Sequence, residues 1–118
     1  MDLTSQRIAI LGAGRSGQAA AALARHLGGI VTVFDDAPAE RLSAHLERLR
    51  QADLTAVIGS DATALEVRPG QWDLVIISPG IDESWPLPLK FTSVGVPLMG
   101  ETEFAWRHCL DPLIAITG

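Results

Sequence analysis

Arg7-Ile8-Ala9-Ile10-Leu11-Gly12-Ala13-Gly14-Arg15-Ser16-Gly17 is the stretch that decides how the rest of this chain is read. A short, mostly apolar run ends at a glycine, and a G-x-G-x-x-G follows. Behind it, Gln18 to Leu27 is alanine-rich and helix-forming, stopped by Gly28-Gly29. Strand, glycine turn and helix in immediate succession form the context in which this spacing binds phosphate. Gly12 permits the tight turn, Gly14 lets backbone approach a ligand, and Gly17 lets the helix pack close to the strand. The helix start offers unpaired N–H groups and a partial positive charge, to which Arg15 and Ser16 add side chains. The same spacing also suits a turn whose glycines serve packing alone.

Outward from this stretch the period keeps switching. Ile30 to Phe34 is β-branched and strand-like, and Pro38 stands where a first helical turn begins. Leu42, Leu46 and Leu49 follow at helical spacing. Leu54 to Ile58 reads as a strand, Ser60 to Glu66 as a short helix, and Leu74 to Ile77 as a fourth strand. Pro86 and Pro88 oppose a regular helix start, which leaves Leu89 to Val94 for a short helix. Val96 to Met99 reads as a strand, Glu101 to Cys109 as a helix and Leu113 to Ile116 as a last strand. Near-continuous apolar strands imply a sheet covered on both faces. The expected fold is α/β: a Rossmann-like, doubly wound, mostly parallel sheet of five to six strands in a single domain over residues 1–118.

Composition removes several function classes. Of 118 residues, 47% are apolar and 19% charged, an ordered rather than a disordered balance. Nine basic against 14 acidic residues give a net charge of −5, and with no basic stripe nucleic acid is not the expected partner. The single Cys109 excludes an internal disulfide and a cysteine-built metal site, and it reads as a core thiol. His26, His45 and His108 show no metal spacing. Trp72, Trp85 and Trp106 read as packing anchors, Glu101 and Glu103 as first-turn helix residues. No apolar run is long enough for a membrane span, and Met1 to Thr4 does not open a signal peptide, so a cytoplasmic location is expected.

In doubly wound sheets ligands bind at the carboxyl ends of strands. Besides the glycine turn, two such ends carry unusual residues. Asp35 lies 21 positions past Gly14, the usual place for a carboxylate that meets a nucleotide ribose; Asp36 beside it also suits a helix N-cap. Ser78-Pro79-Gly80 either presents the Gly80 N–H to a ligand or is an ordinary Pro-Gly turn.

These residues resemble the UDP-N-acetylmuramoyl-L-alanine:D-glutamate ligases (MurD) of the Mur ligase family. Gly12 to Ala19, Asp35, Ile77-Ser78-Pro79-Gly80-Ile81, Gly100-Glu101-Thr102-Glu103-Phe104 and Ile114-Ala115-Ile116-Thr117-Gly118 match its segments in order across the whole chain. The resemblance implies an ATP- and Mg²⁺-dependent, amide-forming enzyme of peptidoglycan precursor synthesis, built from three domains. This chain then corresponds to the first domain, which holds the UDP part of UDP-N-acetylmuramoyl-L-alanine. ATP and D-glutamate bind through the other two, and this stretch alone carries no cofactor, no metal site, no catalytic residue and no activity. The resemblance places Arg15 and Ser16, with Gly14 and Gly17, at the diphosphate. It places Asp35 and Asp36 beside uracil, and Ser78, Pro79 and Gly80 over the nucleotide. Thr117 and Gly118 match the start of the ATP loop, whose lysine is not among these residues. Asp36 departs from the hydroxyl residue that some members carry there. The rival expectation is an NAD(H)-binding domain of an oxidoreductase or redox sensor, which the glycines and Asp35 fit equally well.

Overall fold

Alternation within one strand sets up the layers. In Ile8-Ala9-Ile10-Leu11 every residue is buried, but Ile8 and Ile10 enter one apolar cluster while Ala9 and Leu11 enter another. Side chains two apart share a sheet face, so this strand is covered on both sides. The computed structural model describes residues 3–108. Five strands are present among them: β1 (Arg7–Leu11), β2 (Ile30–Asp35), β3 (Thr55–Ile58), β4 (Leu74–Ile77) and β5 (Leu98–Gly100). The helices are α1 (Arg15–His26), α2 (Ala39–Gln51), α3 (Gly59–Thr63), α4 (Pro86–Thr92) and α5 (Glu101–His108). All strand pairs are parallel, in the order β3-β2-β1-β4-β5.

The first cluster joins Ile8, Ile10, Val33 and Ile76 to Ala20, Ala21 and Ala24 of α1, Leu42 and Leu49 of α2 and Phe104 of α5. The small face of α1 brings that helix close to the sheet. Gly17 continues this face: a Cβ there would overlap the Gly12 carbonyl oxygen and lie 2.9 Å from its carbon. The second cluster joins Ala9, Leu11, Phe34, Val75 and Ile77 to Leu87, Phe91 and Val96. Trp72 is packed edge-on against both Phe34 and Phe91, with ring centroids 5.5 and 6.0 Å away.

The structure corrects the sequence reading in several places. Helix α4 starts at Pro86, with Pro86 and Pro88 inside its first turn. A first turn needs no intrahelical N–H donors, so proline costs little there. Helix α1 begins at Arg15, because the glycine turn feeds directly into it. The N-cap of α2 is Pro38, without a side-chain cap, so Asp36 does not cap that helix. Trp85 and Trp106 are 50% and 69% exposed; only Trp72 is a packing anchor. The expected strand Leu113 to Ile116, Cys109, Thr117 and Gly118 lie outside the described residues.

Candidate functional site

Strand order fixes where the chemistry converges. From β1 the chain winds outward through β2 and β3, then returns to add β4 and β5 on the other side. The reversal lies between β1 and β4, and a crevice opens at their carboxyl ends. The glycine turn leaves β1 there and Ser78-Pro79-Gly80 leaves β4 there, with Leu11 and Ile77 in register.

The four glycines of these two turns fall into two kinds. Gly12 has φ +113°, and a Cβ on it would overlap the Ser78 hydroxyl; Gly17 is closed off by the Gly12 carbonyl. The fold itself demands glycine at both. Gly14 has an ordinary φ of −70°, and a Cβ there or at Gly80 would meet nothing within 4 Å among the described residues. Folding does not require glycine at those two positions. Open space in front of backbone is what a closely approaching ligand needs.

Gly14 is the N-cap of α1, which has no side-chain cap and no acidic residue in its first turn. The N–H groups that open a helix lack intrahelical partners, so among the described residues the site keeps its donors and its positive dipole end unopposed. Arg15 and Ser16 are exposed beside it. The turn is held from behind: the Ala13 N–H donates to Asp35 Oδ2 at 2.9 Å, and Gln18 Nε2 donates to the Ala13 carbonyl at 2.9 Å. Gln18 Nε2 also lies 3.0 Å from His45 Nδ1, which links the turn to α2.

Asp35 therefore engages backbone on both sides. Its Oδ1 accepts the Ala37 N–H at 2.9 Å, so the carboxylate ties the end of β2 to the glycine turn. Asp36, next along, is exposed. It lines a cavity of about 530 Å³ between the ends of β2 and β3, together with Pro38, Glu40, Ile58, Gly59 and Asp61. Three carboxylates there repel phosphate; a neutral ring suits the cavity better. In the third turn the Ile81 N–H donates to the Ser78 carbonyl at 3.0 Å. The Ser78 hydroxyl points inward, 2.9 Å from Glu101 Oε2 and 3.1 Å from the Leu11 carbonyl. Pro79 and Gly80 are exposed at the rim. The involvement of Glu101 was not read from the sequence. The signal lay in the parallel register: Ile77 pairs with Gly100, so the next residues, Ser78 and Glu101, share one end of the sheet.

Comparison with known proteins fits this geometry. The family description "Alanine dehydrogenase/PNT, C-terminal domain" matches residues 2–82, which include all three turns. The chain belongs to the alanine dehydrogenase/PNT C-terminal domain family. The match takes in β1 to β4 and the Ser78-Pro79-Gly80 turn of this chain; α4, β5 and α5 lie beyond it. Curated relatives extend over those elements too. The UDP-N-acetylmuramoylalanine–D-glutamate ligase of Desulfatibacillum aliphaticivorans is 36% identical over 100% of this chain and 26% of its own length. That of Acidobacterium capsulatum is 33% identical over 100% of this chain and 25% of its own. The chain thus spans about a quarter of the length of these relatives. Among solved structures, shikimate dehydrogenase from Aquifex aeolicus superposes with a TM-score of 0.55 at 12% identity, covering 89% of this chain and 46% of that one. That likeness establishes a Rossmann-like fold.

Proposed function

We propose that this family member is the UDP-sugar-binding domain of an ATP-dependent ligase that joins D-glutamate to UDP-N-acetylmuramoyl-L-alanine in peptidoglycan precursor synthesis. The carrying observation is the uncapped start of α1 at the β1/β4 crevice, with Gly14 and Gly80 both facing open space. In this reading the diphosphate meets the N–H groups of Arg15, Ser16 and Gly17, with the Arg15 guanidinium as counter-charge and the Gly80 N–H opposite. Uracil meets Asp36 in the neighbouring cavity, and Asp35 holds the turn in shape.

The chain's part in the reaction is positioning. Holding the UDP end places the distant carboxylate, so binding energy from a remote group lowers the barrier elsewhere. ATP, Mg²⁺ and D-glutamate belong to the rest of the longer protein, where Thr117 and Gly118 open the ATP loop. This stretch alone is inactive, and the cytoplasm is its compartment. The ligase relatives support this reading because their similarity runs through all 118 residues.

Calorimetry of the folded chain with UDP and with UDP-N-acetylmuramoyl-L-alanine tests it. Binding of both is expected; no heat at millimolar ligand rejects the reading. A second reading, an NAD(H)-binding domain, is favoured by the matched family description and by the dehydrogenase fold neighbour. Thermal stabilisation by NADH but not by UDP reverses the ranking.

A further inference from the structure

We infer that Glu101 is a positioning residue for the diphosphate-binding turn, acting through Ser78; the inference rests on the nucleotide reading above. Glu101 opens α5, yet it is only 9% exposed. A first-turn glutamate already benefits from the helix dipole while remaining in water, so its inward turn calls for another partner. That partner is the Ser78 hydroxyl, 2.9 Å from Oε2. The hydroxyl's single proton is shared with the Leu11 carbonyl, 3.1 Å away, and the Ser78 N–H donates to that same carbonyl at 3.2 Å. Glu101, Ser78 and Leu11 thus tie together the ends of β5, β4 and β1.

The glycine turn rests directly on this tie. A Cβ at Gly12 would overlap the Ser78 hydroxyl, and one at Gly17 would lie 3.6 Å from it. The hydroxyl is therefore the floor beneath both glycines that the fold requires, and Glu101 fixes where that floor stands. Removing the carboxylate frees the hydroxyl to rotate, and the N–H groups above it lose their set direction toward phosphate. The nucleobase cavity, lined from β2 and β3, does not share this support. Glu103, two residues on, is exposed and pairs with Arg107 at 2.9 Å; it serves as the control.

NMR titration of the whole 118-residue chain with UDP and with uridine separates the two parts of the ligand. In Glu101→Ala the UDP affinity falls about tenfold, the usual effect of losing one charge-assisted hydrogen bond, while uridine binds as in the parent chain. Glu101→Gln, which keeps an acceptor, restores UDP binding. Ser78→Ala matches Glu101→Ala, and the double variant is no weaker than either. UDP affinity unchanged in Glu101→Ala, or UDP and uridine weakened equally, overturns the inference. A parent chain that binds neither ligand rejects the nucleotide reading instead. Amide exchange of the free chain then judges the tie on its own. Faster exchange at Ala13 and Gly17 in Glu101→Ala and Ser78→Ala, but not in Glu103→Ala, upholds it; unchanged exchange overturns it.

Discussion

Substituting Gly17 by alanine adds a single methyl at the most crowded point of the glycine turn. The new Cβ would overlap the Gly12 carbonyl oxygen and come within 2.9 Å of its carbon. Both atoms are backbone, and Gly12 is itself fixed, because its N–H donates to the Phe34 carbonyl at 2.7 Å. Rotation of a side chain cannot relieve the overlap, so α1 must move away from β1. Overpacking of this kind costs about 1–3 kcal/mol. Alanine in place of glycine recovers up to about 1 kcal/mol of helix propensity, and less in a first turn. The net destabilisation is about 1–2 kcal/mol. At roughly 3–6 °C per kcal/mol, between the values for smaller and larger domains, the melting temperature falls by about 3–12 °C. The displacement also re-aims the N–H groups of Arg15 to Gly17, and one lost charge-assisted hydrogen bond weakens UDP about tenfold. Thermal melting by circular dichroism and a UDP titration well below the melting temperature read the two effects separately. An unchanged or raised melting temperature with unchanged UDP affinity would refute the reasoning.

Gly14→Val is the counterpart. Its side chain enters open space on ordinary backbone, so melting stays near that of the parent chain while titration shows UDP binding abolished. Asp35→Asn replaces one of two acceptors with a donor facing a backbone N–H; the fold loses about 1–3 kcal/mol, seen as a lower midpoint in urea unfolding. Melting unchanged with UDP binding lost would instead place that carboxylate at the ligand. His108 is buried against Phe104, their ring centroids 4.8 Å apart. Burial first, and the Arg107 charge after it, push its pKa below the ordinary 6.5. The unfolded chain therefore takes up this proton first, and stability falls as pH drops below about 6.5. Hydrogen bonds from Arg50 to Glu47 and from Ser84 to Asp82 hold those carboxyls below 4.5 and 3.8, so their contributions are lost only at lower pH. Melting followed between about pH 6.5 and 5 covers the histidine range, and a slope that flattens in His108→Leu assigns the effect to this residue. Phe91→Ala opens the second cluster and costs about 3–5 kcal/mol; a variant that melts like the parent would contradict the packing of Phe34, Trp72 and Phe91.

Much of the architecture was legible because it is written in local pattern. The apolar run Ile8 to Leu11, the glycines after it and the alanine face of α1 announce strand, turn and helix within a few residues of one another. Local pattern misleads where a rule has an exception or acts one position away. Prolines suggest a barrier at α4, although a first turn tolerates them. Asp36 suits a cap, but Pro38 takes that place and Asp35 accepts the Ala37 N–H instead. Residue type places tryptophans in the core, yet Trp106 lies on the outer side of α5.

By itself the sequence determined that a G-x-G-x-x-G turn follows β1, that strands and helices alternate, and which strand ends carry the candidate site residues. Each of these depends on neighbours along the chain. Tertiary structure decided what each residue does at those ends. It drew Asp35 back onto the Ala13 N–H, turned the Ser78 hydroxyl inward onto Glu101, and left Gly14 and Gly80 facing open space. Those outcomes depend on distances between residues 22 to 67 positions apart. Such distances are set by strand order and register, which bring β1, β4 and β5 side by side only once the sheet has formed.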